Sequence, residues 1–138
     1  MKRMPRHLLQ HPEEISIVRL PGGTTPDFPV AGGPFVAVVT TADETAVVCR
    51  TSAVPAGLTQ EGPFRLIEVA GPLSFGSVGV LADLVAPLVA SGVSILAYST
   101  FDTDWLLVPA ERLGDAVVAW RQAGMFVTTT SLTPGGNE

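Results

Sequence analysis

Two carboxylates stand one residue apart in Tyr98-Ser99-Thr100-Phe101-Asp102-Thr103-Asp104-Trp105, between two apolar runs. Asp-x-Asp can begin a divalent-cation site, but hard cations need several further oxygen ligands, and this neighbourhood is poor in acids. A carboxylate in an apolar pocket could instead act as a general base, making the chain a small lyase, isomerase or cyclase that uses Asp102 or Asp104. It could also accept an ammonium or another cation through charge-assisted hydrogen bonds. The plainest reading is a solvated turn, because Asp, Ser and Thr are ordinary turn residues. If Asp104 faces a pocket, strand alternation sends Thr103 to the other face and brings Asp102 back toward the first.

Little else in the chain can do chemistry. His7 and His11 lie four apart, but Pro12 follows and no third ligand is near, so they read as part of a solvated N-terminal segment. The single cysteine, Cys49, ends the apolar run Ala46-Val47-Val48 and reads as a small core residue. One cysteine excludes an intrachain disulfide and a multi-cysteine zinc site, and no Ser/His/Asp or Cys/His apparatus can be assembled. The loop PGGTTPDFPVAGG, residues 21–33, has neither phosphate-loop spacing nor its Lys-Ser/Thr. No cofactor and no metal are expected.

The elements that must position the Asp-x-Asp stretch follow from periodicity. Strands are expected over Glu14 to Leu20, Phe35 to Thr40 and Thr45 to Thr51, the last two joined by a hairpin at Thr41-Ala42-Asp43-Glu44. The loops around Pro55-Ala56-Gly57 and Glu61-Gly62-Pro63 precede a further strand, Phe64 to Ala70. Leu81, Leu84, Val85 and Leu88 then fall on one helical face, so Val78 to about Ala90 reads as a helix, with a bend or early end at Pro87. Val93 to Thr100 and Trp105 to Val108 are strands flanking the carboxylates. Leu113, Ala116, Val117 and Trp120 mark a second helix, capped near Gly124, and Met125 to Thr130 is the last strand. The second half therefore runs β-α-β-β-α-β, the ferredoxin-like order of an α+β fold. Trp105 and Trp120 read as core or interface residues, and Tyr98 could face core or pocket.

With 138 residues the chain can bury a real core, roughly 68% of its unfolded surface for a domain of this size. Eight Lys and Arg against 13 Asp and Glu leave a net charge of −5 and no basic stripe, which argues against nucleic acid. The N-terminus carries no secretory apolar run, so a cytoplasmic setting is expected. Mean hydropathy is +0.39, high for a soluble chain. The best membrane candidate, Gly79 to Tyr98, is interrupted by Asp83, Pro87 and Ser91-Gly92, so no membrane partner is expected and the excess apolar character points to a subunit interface.

Particular strings go further than the order of elements. Gly71-Pro72-Leu73-Ser74-Phe75, then Gly79-Val80-Leu81-Ala82, Pro87-Leu88 and Ser99-Thr100-Phe101-Asp102-Thr103-Asp104-Trp105-Leu106-Leu107-Val108-Pro109 resemble the CASTOR-type ACT domain family. Thr41-Ala42-Asp43-Glu44 and Val47-Val48-Cys49 resemble the truncated, mostly β ACT-like subdomain that precedes the full domain in that family. The resemblance covers about residues 14–130. It implies a truncated subdomain at 14–62, a full ACT domain at 63–131 and loose termini at 1–13 and 132–138. It also implies a regulatory or sensor module that binds a free amino acid, with the ligand between two full domains of a homodimer.

A zwitterionic amino acid needs donors for its carboxylate and an acceptor for its ammonium. The loop Ser74-Phe75-Gly76-Ser77-Val78-Gly79 enters the first helix, whose N-terminal N–H groups favour an anion; Ser77 reads equally as a simple helix cap. Asp104 is the cation acceptor. Matched position by position, the resemblance implies ligand contacts from Ser74, Ser77, Leu81, Thr100, Phe101, Thr103 and Asp104, with Ser94 and Ile95 contributed by the opposite domain. Val78 and Gly79 supply backbone donors. Arginine-sensing relatives carry an acidic residue at the position of Ser77 and an aromatic at that of Thr103. Losing both weakens the case for a guanidinium ligand and leaves a smaller or neutral amino acid equally open.

Overall fold

A computed structural model describes residues 6–30, 32–71 and 78–130. They form two compact units: Glu13–Phe64, and Arg65–Thr130 together with the N-terminal residues up to Pro12. Two long strands, β1 (His7–Pro21) and β4 (Gln60–Val69), supply residues to both.

In the unit formed by Glu13–Phe64, β2 (Ala37–Thr40) and β3 (Glu44–Arg50) make the expected hairpin, with Thr40 opposite Thr45. Its turn is held by the Thr41 hydroxyl, which accepts the N–H groups of Asp43 at 3.2 Å and Glu44 at 3.1 Å. β3 pairs antiparallel with β1 from Ile15↔Arg50 to Pro21↔Glu44. Val18, Val47 and Cys49 form its core, packed by Leu20, Phe28, Val30, Val54 and Leu58. Its one helical piece among the described residues is a three-residue 3-10 turn at Thr51–Ala53.

The second unit adds α1 (Val80–Ser91), β5 (Leu96–Ser99), β6 (Asp104–Pro109), α2 (Leu113–Gln122) and β7 (Phe126–Thr129). Its strands run β7-β1-β4-β6-β5. Leu8, Ile67, Val69, Leu106, Val108 and Val127 pack against Val80, Leu84 and Leu88 of α1 and Ala116, Val117, Ala119 and Trp120 of α2. Each fully buried Leu or Val contributes about 1.5–3 kcal/mol relative to exposure. The result is the α+β, ferredoxin-like arrangement of helices on one face of a sheet.

Three details differ from the reading of the sequence. The N-terminal segment is not loose from His7 onward: β1 starts there and pairs in parallel with β7, from His7↔Phe126 to Gln10↔Thr129. Leu8 is wholly buried by that pairing, so β1 lies between β4 and β7, where a four-stranded βαββαβ unit would join those two directly. Glu61-Gly62-Pro63, read as a loop, lies in the first half of β4, with Gly62 at φ 137° supplying a backbone shape other residues rarely take. α1 does not end at Pro87 but runs to Ser91 and closes on Gly92 in the left-handed conformation. Burial of Leu84 and Leu88 on either side of the proline outweighs the lost bond, and the Trp120 indole donates to the Leu84 carbonyl at 2.9 Å in the turn that Pro87 loosens.

Candidate functional site

The β5–β6 hairpin carries the carboxylates. Ser99 and Asp104 are cross-strand partners, and the Ser99 hydroxyl donates to Asp104 Oδ1 at 2.8 Å. Between them the Thr100 N–H donates to the Thr103 carbonyl at 2.9 Å, closing the turn. The same carbonyl accepts the Thr100 hydroxyl at 3.1 Å, and the Thr100 oxygen in turn accepts the Trp105 indole N–H, also at 3.1 Å. Thr103 is buried, and its hydroxyl donates to the Val69 carbonyl at the end of β4.

These bonds sort the hairpin candidates. Thr103 and Thr100 spend their hydroxyl protons on backbone carbonyls. Asp104 is half-buried, and no Lys or Arg among the described residues pairs with its carboxylate. Asp102 lies exposed in the turn, so the two carboxylates are not equivalent and Asp102 does not occupy an apolar pocket. Phe101 is 79% exposed at the tip. Among the described residues, no group of three His, Cys, Asp or Glu is placed to hold a metal ion.

The other candidates are distributed as follows. Ser74 and Ser77 lie outside the described residues, as does Gly76. Gly79, at φ 80°, is the N-cap of α1, the place the sequence offered to Ser77. Val78 is exposed, Leu81 partly so, and both stand at the helix start. The first turn contains Asp83, which pairs with Arg6 at 3.4 Å. β5 begins at Leu96, so Ser94 and Ile95 precede it instead of lying on it; Ser94 is exposed and Ile95 packs on the helix-side core. β5 is the edge of its sheet, and Leu96 on it is exposed.

One cluster was not foreseen. His11 is buried on β1, with Nε2 3.0 Å from Glu68 Oε1 and Nδ1 3.3 Å from the Thr130 hydroxyl. Because a carboxylate only accepts, Nε2 carries the N–H that points to Glu68. Arg65 clamps the His11 carbonyl with two bonds, at 3.0 and 2.9 Å. The Trp105 ring lies 5.8 Å from the imidazole, tilted by 35°. His7, four residues earlier, meets Thr128 at 2.9 Å on the exposed side. Neither histidine is in a solvated tail; nothing local announces this, because the partners lie 57 and 119 residues away from His11.

An open groove of about 940 Å³ lies elsewhere in the same unit, between α1 residues such as Ala82, Ala86 and Ala90 and α2 residues such as Ala119 and Gln122. None of the candidate residues lines it. Among the described residues, no helix is long and apolar enough to cross a membrane.

Comparison with known proteins bears on both sequence and fold. Residues 60–121 match the model of the ACT domain. The chain is 35% identical over 65 residues to the cytosolic arginine sensor for mTORC1 subunit 1 of Homo sapiens, a match covering 45% of this chain and 20% of that protein. The chain thus spans about a fifth of the curated relatives it matches. A structurally characterised protein of Agrobacterium tumefaciens superposes with a TM-score of 0.84 at 27% identity, covering 94% of this chain and 96% of the other. The regulatory subunit of aspartate kinase from Thermus flavus shares the fold, with a TM-score of 0.57 at 14% identity over 88% of this chain and 97% of that one. The sequence match over residues 60–121 and the shared fold agree: this stretch of the chain is similar to the ACT domain in sequence, and its unit has the same fold as the regulatory subunit.

Proposed function

We propose that the chain is an amino-acid-binding regulatory module, acting in the cytoplasm as a homodimer with its ligand between two ACT domains. The observation that carries this reading is Asp104: a half-buried carboxylate, oriented by Ser99, with no protein cation among the described residues to neutralise it. It is suited to an α-ammonium group. The start of α1, at Gly79 to Leu81, offers N–H donors for the ligand's carboxylate, with Ser74, Ser77 and Val78 leading into it. Thr100, Phe101 and Thr103 shape the hairpin side. The open edge of β5 supports pairing with a second copy, whose Ser94 and Ile95 would complete the site.

Thr103 stands where arginine-sensing relatives carry an aromatic, and here its side chain is turned onto Val69. That removes a cation–π partner and weakens the case for a guanidinium ligand. Binding regulates only if the two states of the dimer, or of a partner, differ in affinity for the ligand. Calorimetry against the twenty amino acids, with sedimentation to follow the dimer, tests the proposal. At least one should bind the wild type, and Asp104→Ala should weaken it about tenfold or more, as expected for losing a charged hydrogen bond. Binding by none of them, or equal affinity in the variant, overturns the reading.

A further inference from the structure

Trp105 occupies a position from which it can control the shape of the Ser99–Asp104 turn. Its indole N–H donates to the Thr100 oxygen at 3.1 Å, and that hydroxyl donates onward to the Thr103 carbonyl at 3.1 Å. The ring also faces His11, with centroids 5.8 Å apart. That imidazole is itself fixed at both nitrogens, by Glu68 at 3.0 Å and Thr130 at 3.3 Å, while Arg65 clamps its carbonyl. Side chains of β4, β1 and β6 thus link in series, Glu68 to His11 to Trp105, and only the last of them reaches the Thr100 hydroxyl of the turn.

We propose that Trp105 is a positioning residue for this turn, with His11 and Glu68 as its footing, so that Asp104 and the Thr100 backbone are already arranged before a ligand arrives. Preorganisation of this kind raises affinity by removing the ordering cost from the binding step. The value to ligand binding rests on the amino-acid reading above; the bracing itself does not, and it can be measured without any ligand.

The test is amide hydrogen exchange in the full chain, comparing wild type with Trp105→Phe, Thr100→Val and the double variant. Phenylalanine keeps a ring against His11 but has no N–H. The bonded Thr100 amide should exchange about five- to tenfold faster in Trp105→Phe, the change expected for one hydrogen bond, with α1 and α2 amides unchanged. Thr100→Val should do at least as much, and the double variant no more than Thr100→Val alone. Unchanged exchange at the turn, or additive effects in the double variant, overturns the proposal. Should Trp105→Phe loosen the whole unit, seen as faster exchange in both helices, Thr100→Val decides, and unchanged turn exchange there overturns it. For an amino acid that binds wild type, affinity should fall by a similar factor in Trp105→Phe; equal affinity overturns the positioning role. A wild type that binds none removes the ligand reading and leaves the exchange comparison to decide the bracing by itself.

Discussion

Replacing Thr103 by Val separates a structural role from a ligand role at one position. The substitution preserves shape and removes the hydroxyl that donates to the Val69 carbonyl from a site only 8% exposed. A net hydrogen bond contributes about 0.5–1.5 kcal/mol, and a buried acceptor that loses its donor costs about 1–3 kcal/mol. The added methyl returns a fraction of this through burial, about 0.8 kcal/mol for a carbon of that size. The balance is a loss of about 1–2 kcal/mol, or a factor of about 5–30 in the folded-to-unfolded ratio. Thr103→Ser supplies the control: it keeps the donor and loses one methyl, so it should cost about 0.8 kcal/mol. Urea unfolding of the three proteins, with a common slope, reads these differences. A Thr103→Val protein as stable as wild type, or a serine variant less stable than the valine one, would refute the assignment of Thr103 to the frame of the site.

Gly62 sits at φ 137°, and a Cβ there would lie 3.0 Å from the Ser16 hydroxyl and 3.1 Å from the Ile15 carbonyl. Gly62→Ala should therefore lose about 1–3 kcal/mol in urea unfolding, and a neutral result would contradict the strained backbone assigned to the start of β4. Burial pushes the Cys49 thiol above its ordinary 9.0 and the Tyr98 phenol above its ordinary 10.0. Each group is protonated in both states below its ordinary value; above it the unfolded chain gives up the proton first, so stability should fall as pH rises past 9 and again past 10. Unfolding measured from pH 8 upward in wild type and Cys49→Ala checks the sign: the alanine variant should lose the first part of that decline. The buried thiol should also resist a disulfide reagent until the chain unfolds.

The elements that could be read from sequence are those whose pattern is local. The Leu84 and Leu88 spacing marks α1, Ala116, Val117 and Trp120 mark α2, and Phe64, Leu66 and Glu68 set opposite Arg65, Ile67 and Val69 mark the second half of β4. What could not be read depends on distant partners. Nothing near His7 announces a strand, because β1 is completed there by β7, more than a hundred residues later. Pro87 argues for a helix end on local grounds, and the core around Leu84, Leu88 and Trp120 overrides it. His11 shows the same limit more sharply: Pro12 beside it signals a loop, while Glu68, Arg65 and Thr130 hold it in place.

For the candidate site, residue type was legible and the use of each side chain was not. Asp102 and Asp104 look equivalent as letters, yet strand pairing gives Asp104 a fixed orientation through Ser99 and leaves Asp102 in the exposed turn. Thr100 and Thr103 look like ligand hydroxyls, and both donate their protons to carbonyls of the frame. A recognition site built this way divides its labour. Neutral hydroxyls, whose bonds within the protein cost little to form, hold the loop, and on the proposed reading the Asp104 carboxylate, oriented by Ser99, keeps its charge for a ligand. On that division, specificity should respond to changes at Asp104 and at the helix start, while Thr103 and Trp105 should alter the affinity for every ligand by a similar factor.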